Sequence, residues 1–228
     1  MRPVARVITG SAASSFETNK VVRNTYTLLS MTLLFSAVTA GIAMAIQPPM
    51  FTGLICSLGA LGLIWLVLPK TANSGAGIGV VFAITGLLGF GLGPLLTHYL
   101  AMPNGGQVIA MAFGSTAAIF LGLTGYVMVT KKDFSFMGGF LMAGMIVVIV
   151  AMLALLLAGM FGYAMPMASL ALSGAVAMLM AGFMLYDTSR IINGGETNYI
   201  MATVGIYLSI YNMFVSLLHL IGAFSGDD

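Results

Sequence analysis

Seven stretches of roughly twenty almost wholly apolar residues run through this chain, at 22–46, 50–68, 78–100, 107–130, 136–161, 166–186 and 200–224. A helix crossing the hydrocarbon core of a bilayer needs about 20 such residues. The runs are long and lack the period-two alternation of barrel strands, so helices are expected. Composition agrees: 60% of residues are hydrophobic and 6% charged, against roughly a quarter charged in a soluble domain. The expected fold class is an all-α integral membrane protein, a seven-transmembrane-helix bundle.

Turn and breaker residues separate the runs: Gln47-Pro48-Pro49, Pro69-Lys70 through Gly77, Met102-Pro103-Asn104-Gly105-Gly106, Lys131-Lys132-Asp133 and Asn193-Gly194-Gly195. None of these breaks is long enough to insert a soluble domain. Residues 22–228 therefore read as one transmembrane domain, preceded by a polar tail at 1–21. That tail is rich in Ser, Thr and Ala, and disorder in the cytoplasm is expected of it. It has no apolar segment or cleavage site of the signal-peptide kind.

The basic residues sort by side. Arg2, Arg6, Lys20 and Arg23 precede or open the first run, Lys70 follows the second, Lys131 and Lys132 the fourth, and Arg190 the sixth. The other connectors and the tail after Phe224 carry no Lys or Arg. The positive-inside rule then predicts a cytoplasmic N-terminus and a C-terminus outside. The net charge of +2 is scattered as topology signals. No stripe of arginine and aromatic residues tracks a phosphate backbone, which excludes nucleic acid as a partner.

Cys56 lies inside the second run with no second cysteine to pair with, and reads as a small buried apolar side chain. No HExxH, Walker loop or cysteine-rich metal pattern is present, so no cofactor and no metal are expected. Ser173 and His219 fall toward the outer half of the sixth and seventh runs, where an intramembrane serine protease would need them. The local string Ala171-Leu172-Ser173-Gly174 lacks the glycine two residues before the nucleophile, and a non-enzymatic reading is preferred. His98 and His219 read as packing or interface residues. Ala110, Gly114, Ala118 and Gly122 recur every four residues on the fourth helix, a face expected to pack inside the bundle.

Polar residues concentrate between Leu185 and Ser216. Asn198, Ala202, Gly205, Ser209, Asn212, Ser216, His219 and Ala223 alternate spacings of four and three, which places them on one stripe of the seventh helix. A stripe of that kind faces protein or water. It lines an ion path or makes interhelical hydrogen bonds, and a helix so marked belongs at the bundle centre. Asp187, read as ending the sixth helix, sits where the helix dipole disfavours a negative charge. Arg190 at i+3 and Lys70 on the same face are its expected charge partners. Gly194, Gly195, Glu196, Thr197 and Asn198 form an expected capping turn: a left-handed glycine ends one helix, and Thr197 or Asn198 caps the next.

The segments RNTYTLLSMTLLFSAVTAGIA from Arg23, GLGPLLTHYL from Gly91, KKDFSFMGGFLMAGM from Lys131 and INGGETNYIMATVGIYLSIYNMFVSLLHLIG from Ile192 resemble, in order, the bacterial branch of the Bax inhibitor family. The family is also called the transmembrane Bax-inhibitor-motif proteins. The resemblance implies a seven-helix bundle with the last helix central, in the bacterial inner membrane. It implies two activities. One is that of an inner-membrane substrate and modulator of FtsH, a membrane-anchored AAA protease. The other is a pH-sensitive calcium leak, in which two aspartates on helices six and seven share protons in a latch. Asp187 matches the first aspartate, Ser209 stands where the family carries the second, and Asn212 is retained. Serine supplies no second charge, and calcium favours several carboxylate oxygens. The expectation is therefore the protease modulator, engaged through the N-terminal tail, with the calcium or proton leak as the alternative.

Overall fold

The computed structural model describes the backbone of residues 8–225 and the side chains of residues 18–225. Seven helices form it: α1 (Ile8–Ile46), α2 (Thr52–Thr71), α3 (Ala76–Leu100), α4 (Gly105–Thr130), α5 (Gly138–Met160), α6 (Pro166–Ile192) and α7 (Tyr199–Ser225). A π-helical turn, Leu63–Val67, interrupts α2, and a 3₁₀ turn, Ser135–Met137, leads into α5. Each helix is long and apolar enough to cross a membrane. The connectors are short, so consecutive helices run antiparallel and the four basic segments gather at one end.

Helix α7 packs against α1, α3, α4 and α6. With α3 it has the largest buried share of its span, 39%, whereas α5, packed on α6, has 11%. The last helix is thus central, and α2 and α5 are peripheral. The largest core cluster joins Leu28, Leu29, Val81, Ile84, Ile200, Ile206 and Tyr207 from α1, α3 and α7. A second joins α5, α6 and α7 through Leu141, Met180, Met184 and Met213.

Without a hydrophobic drive between helices in lipid, close backbone approach decides which pairs lock. Here α1 and α3 lock. A methyl group on Gly89 would overlap the Ser36 carbonyl and the Thr39 hydroxyl, and one on Gly93 would overlap Ala43. The stripe on α4 does not behave as its spacing suggests. Ala110, Gly114, Ala118 and Gly122 are exposed, and a methyl group on Gly114 or Gly122 would meet nothing within 4 Å. The packed face of α4 is instead Val108, Ala112, Thr116, Thr124 and Val127.

Two helix ends differ from expectation. Helix α1 is already formed at Ile8, so the expected disordered tail is helical from there on; the part of it at residues 1–7 lies outside the described residues. Helix α6 continues through Asp187, Thr188, Ser189 and Arg190 to Ile192, because Thr188 and Ser189 are fully buried against neighbouring helices. Asp187 is therefore a residue of the helix's last two turns, not its terminus.

Candidate functional site

The α6–α7 turn is built as capping chemistry requires. Gly194 takes φ +76, a conformation open to glycine, and the N–H groups of Gly195 and Glu196 both donate to the Arg190 carbonyl. Asn198, not Thr197, caps α7: its Oδ1 accepts from the N–H of Ile200 at 2.9 Å and of Met201 at 3.1 Å. Its Nδ2 donates to the Ala72 carbonyl at 3.1 Å and to Asn73 Oδ1 at 2.8 Å, which ties the start of α7 to the α2–α3 connector.

Glu196 accepts from the Asn198 N–H at 2.9 Å through Oε1 and pairs with Arg190 Nη2 at 3.3 Å through Oε2. This is the one ion pair among the described residues. The direct ion pair of Arg190 is thus with Glu196 and not with Asp187, which stays within reach of the guanidinium charge. The guanidinium turns away along the helix, lies over the Tyr186 ring at 5.4 Å, and donates to the Gly195 carbonyl as well as to Glu196. Lys70 is exposed and makes no ion pair with Asp187. Spacing on one helix, or a shared membrane face, set neither contact.

Asp187, on α6, faces the backbone of α7. Its Oδ2 lies over the α7 backbone at Gly205, where a methyl group would stand 3.0 Å from it. Among the described residues the carboxylate receives no hydrogen bond. The Tyr26 hydroxyl, within reach of the Asp187 charge and beside Thr124, donates to Thr188 Oγ1 at 3.5 Å; nearer the start of α7, Thr203 donates to the carbonyls of Tyr199 and Thr25. Among the described residues the buried Thr25 hydroxyl has no hydrogen-bond partner. Hydroxyls held in this way are the part of the site that sequence reading missed. Thr124 stands between Leu123 and Gly125 in an apolar run, and only the packing brings it to Tyr26.

Ser209 and Asn212 lie farther along α7. Ser209 is buried and donates to the Gly205 carbonyl at 3.2 Å, one turn back; Asn212 donates to the Leu208 carbonyl at 2.8 Å. Both side chains bond within their own helix, and Asn212 lines a different cleft, beside α2 and α3. The geometry brings Asp187 to Gly205, one turn short of Ser209. Deeper in the bundle, the Tyr207 hydroxyl meets Ser36 at 2.7 Å and the Thr85 carbonyl at 3.4 Å, a buried tie of α7 to α1 and α3.

Toward the opposite end, Ser173 Oγ stands 2.8 Å from His219 Nδ1 and donates to the Ser169 carbonyl at 3.1 Å. The contact ties α6 to α7, and which of the two groups donates is set by the imidazole tautomer. His98 is exposed on α3, edge-on to Tyr99. Among the described residues, no three His, Cys, Asp or Glu side chains gather where they could hold a metal ion.

A family profile described as "Inhibitor of apoptosis-promoting Bax1" matches residues 18–226. The chain belongs to the Bax inhibitor family. Similar members of that family span the chain almost end to end. A Vibrio cholerae protein named only as a membrane protein is 49% identical over 220 residues, 96% of each chain. The Escherichia coli K12 protein named "Modulator of FtsH protease YccA" is 47% identical over 225 residues, 97% of this chain and 99% of that one. A Pseudomonas aeruginosa protein is 42% identical over 221 residues. The Bax inhibitor match reaches into all seven helices, from residue 18 of α1 onward, and includes Asp187 and the capping turn.

Proposed function

We propose that this chain is a non-enzymatic, multi-pass protein of the bacterial inner membrane that binds an FtsH-type membrane AAA protease and modulates its action on other clients. The observation that carries this reading is the identity of 47%, over nearly the full length of both chains, to the protein named as a modulator of FtsH. Two physical features support it. Helix α1 has 39 residues, about 58 Å at 1.5 Å per residue, nearly twice the ~30 Å of hydrocarbon to be crossed. Its first turns, from Ile8, precede the apolar run that opens at Val22, so with the basic residues facing the cytoplasm they form a handle on the protease's side. Behind that handle stands a bundle whose central helix is held by four neighbours and resists extraction, so the protease is occupied while it pulls.

The test compares the full chain with one lacking residues 1–17, each co-purified with the protease while turnover of a second membrane client is followed. The expected result is loss of both association and client sparing on truncation. Equal association and equal turnover for the two forms would remove the proposal.

The second reading, a cation leak, is favoured by one observation: the Asp187 carboxylate without a bonded partner beside the Gly205 backbone. Ser209, with its hydroxyl engaged on its own helix, supplies no second carboxylate there, and this places the leak below the modulator reading.

A further inference from the structure

The end of the bundle that carries the basic residues holds a cleft of about 960 Å³ bounded by the first described residues of α1, the end of α4 and the α6–α7 turn. We infer that this cleft is a binding site for the phosphate headgroup of an anionic phospholipid. The inference is independent of the protease reading and rests on four features of the cleft.

The first is depth. Lys131 directly follows the apolar helix Gly105–Thr130, Asn193 directly follows Pro166–Ile192, and Lys20 stands just before the apolar run that opens at Val22. Three span ends at one level mark the headgroup layer of a bilayer. The second is charge. Lys20 and Lys131 line the cleft, and among the described residues neither forms an ion pair. Glu196, the one acid among the described lining residues, has both oxygens engaged, by Arg190 and by the Asn198 N–H, which leaves Lys20 and Lys131 as the cationic groups open to a ligand there.

The third feature is the amphipathic lining. Beside the lysines stand the amides of Asn19, Asn24 and Asn193, which are neutral donors for phosphate oxygens. The remaining wall is apolar, with Val21, Val22, Met128 and Ile192. A free anion has no use for that wall, whereas the glycerol and first methylenes of a lipid do. The fourth is backbone conformation. Lys131 ends α4 at φ 51, in the left-handed region where glycine or asparagine would sit without strain. Strained positions of this kind collect at ligand sites, where the surrounding structure holds them. Basic pockets between transmembrane helices on the cytoplasmic side are a general mode of anionic-lipid recognition.

The experiment uses the full chain, purified in detergent and stripped of lipid, with phosphatidylglycerol or phosphatidylcholine titrated in and bound lipid counted by native mass spectrometry. Two lysines near the headgroup are expected to favour the anionic lipid by roughly thirty-fold. The double variant Lys20→Gln/Lys131→Gln should lose most of that preference. Lys70→Gln/Lys132→Gln, the same charge change at the same end but away from the cleft, should keep it. Met128→Trp, which fills the apolar wall without changing charge, should weaken both lipids. Equal loss in the two lysine pairs would show general electrostatics and overturn the site. Displacement of phosphatidylglycerol by inorganic phosphate at comparable concentration would overturn the lipid assignment in favour of a soluble anion.

Discussion

Replacing Asn198 tests whether one side chain both starts the central helix and fastens it to the rest of the bundle. Its Oδ1 accepts two backbone N–H groups of α7, and its Nδ2 donates to the Ala72 carbonyl and to Asn73 Oδ1. Loss of an N-cap costs about 1 kcal/mol. Each of the two outward bonds is worth about 0.5–1.5 kcal/mol net, with the exposed one to Asn73 at the low end. Asn198→Ala should therefore lower stability by about 2–3 kcal/mol. At roughly 2–4 °C per kcal/mol for a chain of this size, the midpoint in detergent should fall by about 5–10 °C. Asn198→Asp separates the two roles. It retains the cap acceptor and adds a charge that the helix dipole favours by about 0.3–1 kcal/mol, but it loses both donors to the α2–α3 connector. It should fall between the parent and Asn198→Ala. A double-mutant cycle with Asn73→Ala should then return a coupling below about 1 kcal/mol, since one of the four bonds is shared. The assay is reversible SDS-induced unfolding of the purified chain. Stability of Asn198→Ala within about 0.5 kcal/mol of the parent, or Asn198→Asp as damaging as Asn198→Ala, would refute the assignment of both cap and tie.

Gly89→Ala should destabilise by about 1–3 kcal/mol because its methyl group meets α1 backbone, whereas Gly114→Ala, which meets nothing, should be neutral or stabilising by up to about 1 kcal/mol; thermal unfolding of the two variants checks the contrast, and equal effects would contradict the α1–α3 lock. The Ser135 hydroxyl and backbone N–H hold the exposed Asp133 carboxyl below its ordinary range. Its contribution to stability is therefore present above that range and is lost as pH falls through the lowered value. Asp133→Asn should remove this acid limb below about pH 4 in stability-versus-pH curves, and an unchanged limb would contradict it. In calcium-loaded liposomes the parent chain should match empty vesicles across the neutral range. Ser209→Asp, which adds a carboxylate one turn beyond Gly205, should introduce a pH-dependent flux that Asp187→Asn abolishes. Flux in the parent would reverse the order of the two functional readings.

Hydropathy made the number of helices legible and the placement of their faces illegible, for one physical reason. In a bilayer the solvent is as apolar as the core, so an outward face and an inward face are written in the same residues. The stripe Ala110-Gly114-Ala118-Gly122 has the spacing of a packing face and looks outward. Gly89 and Gly93 have the same four-residue spacing and look inward onto α1, so the spacing alone does not tell a packed face from a lipid face. Polar residues were read more reliably, because each one inside a span needs a partner. The seam of α7 was recognisable for that reason, and so was the capping turn. What failed was the choice of partner. Arg190 stands three residues from Asp187 and yet folds toward the turn, because a carbonyl and Glu196 are offered there and local spacing carries no information about them. The end of α6 shows the same thing: Asp187 reads as its end, and the helix runs on to Ile192 because neighbouring elements bury Thr188 and Ser189.

The helix at the centre is also made after the other six. While the ribosome is still producing α7, Ser36 on α1 and Thr85 on α3 lack the Tyr207 hydroxyl that joins them in the finished bundle. The tie at the bundle's centre is therefore the last to form. A chain stalled before that step has the same six helices and the same N-terminal handle but none of the resistance to being pulled apart. Whether a copy is destroyed or endures would then be decided by when a quality-control machine meets it, before or after its last helix arrives.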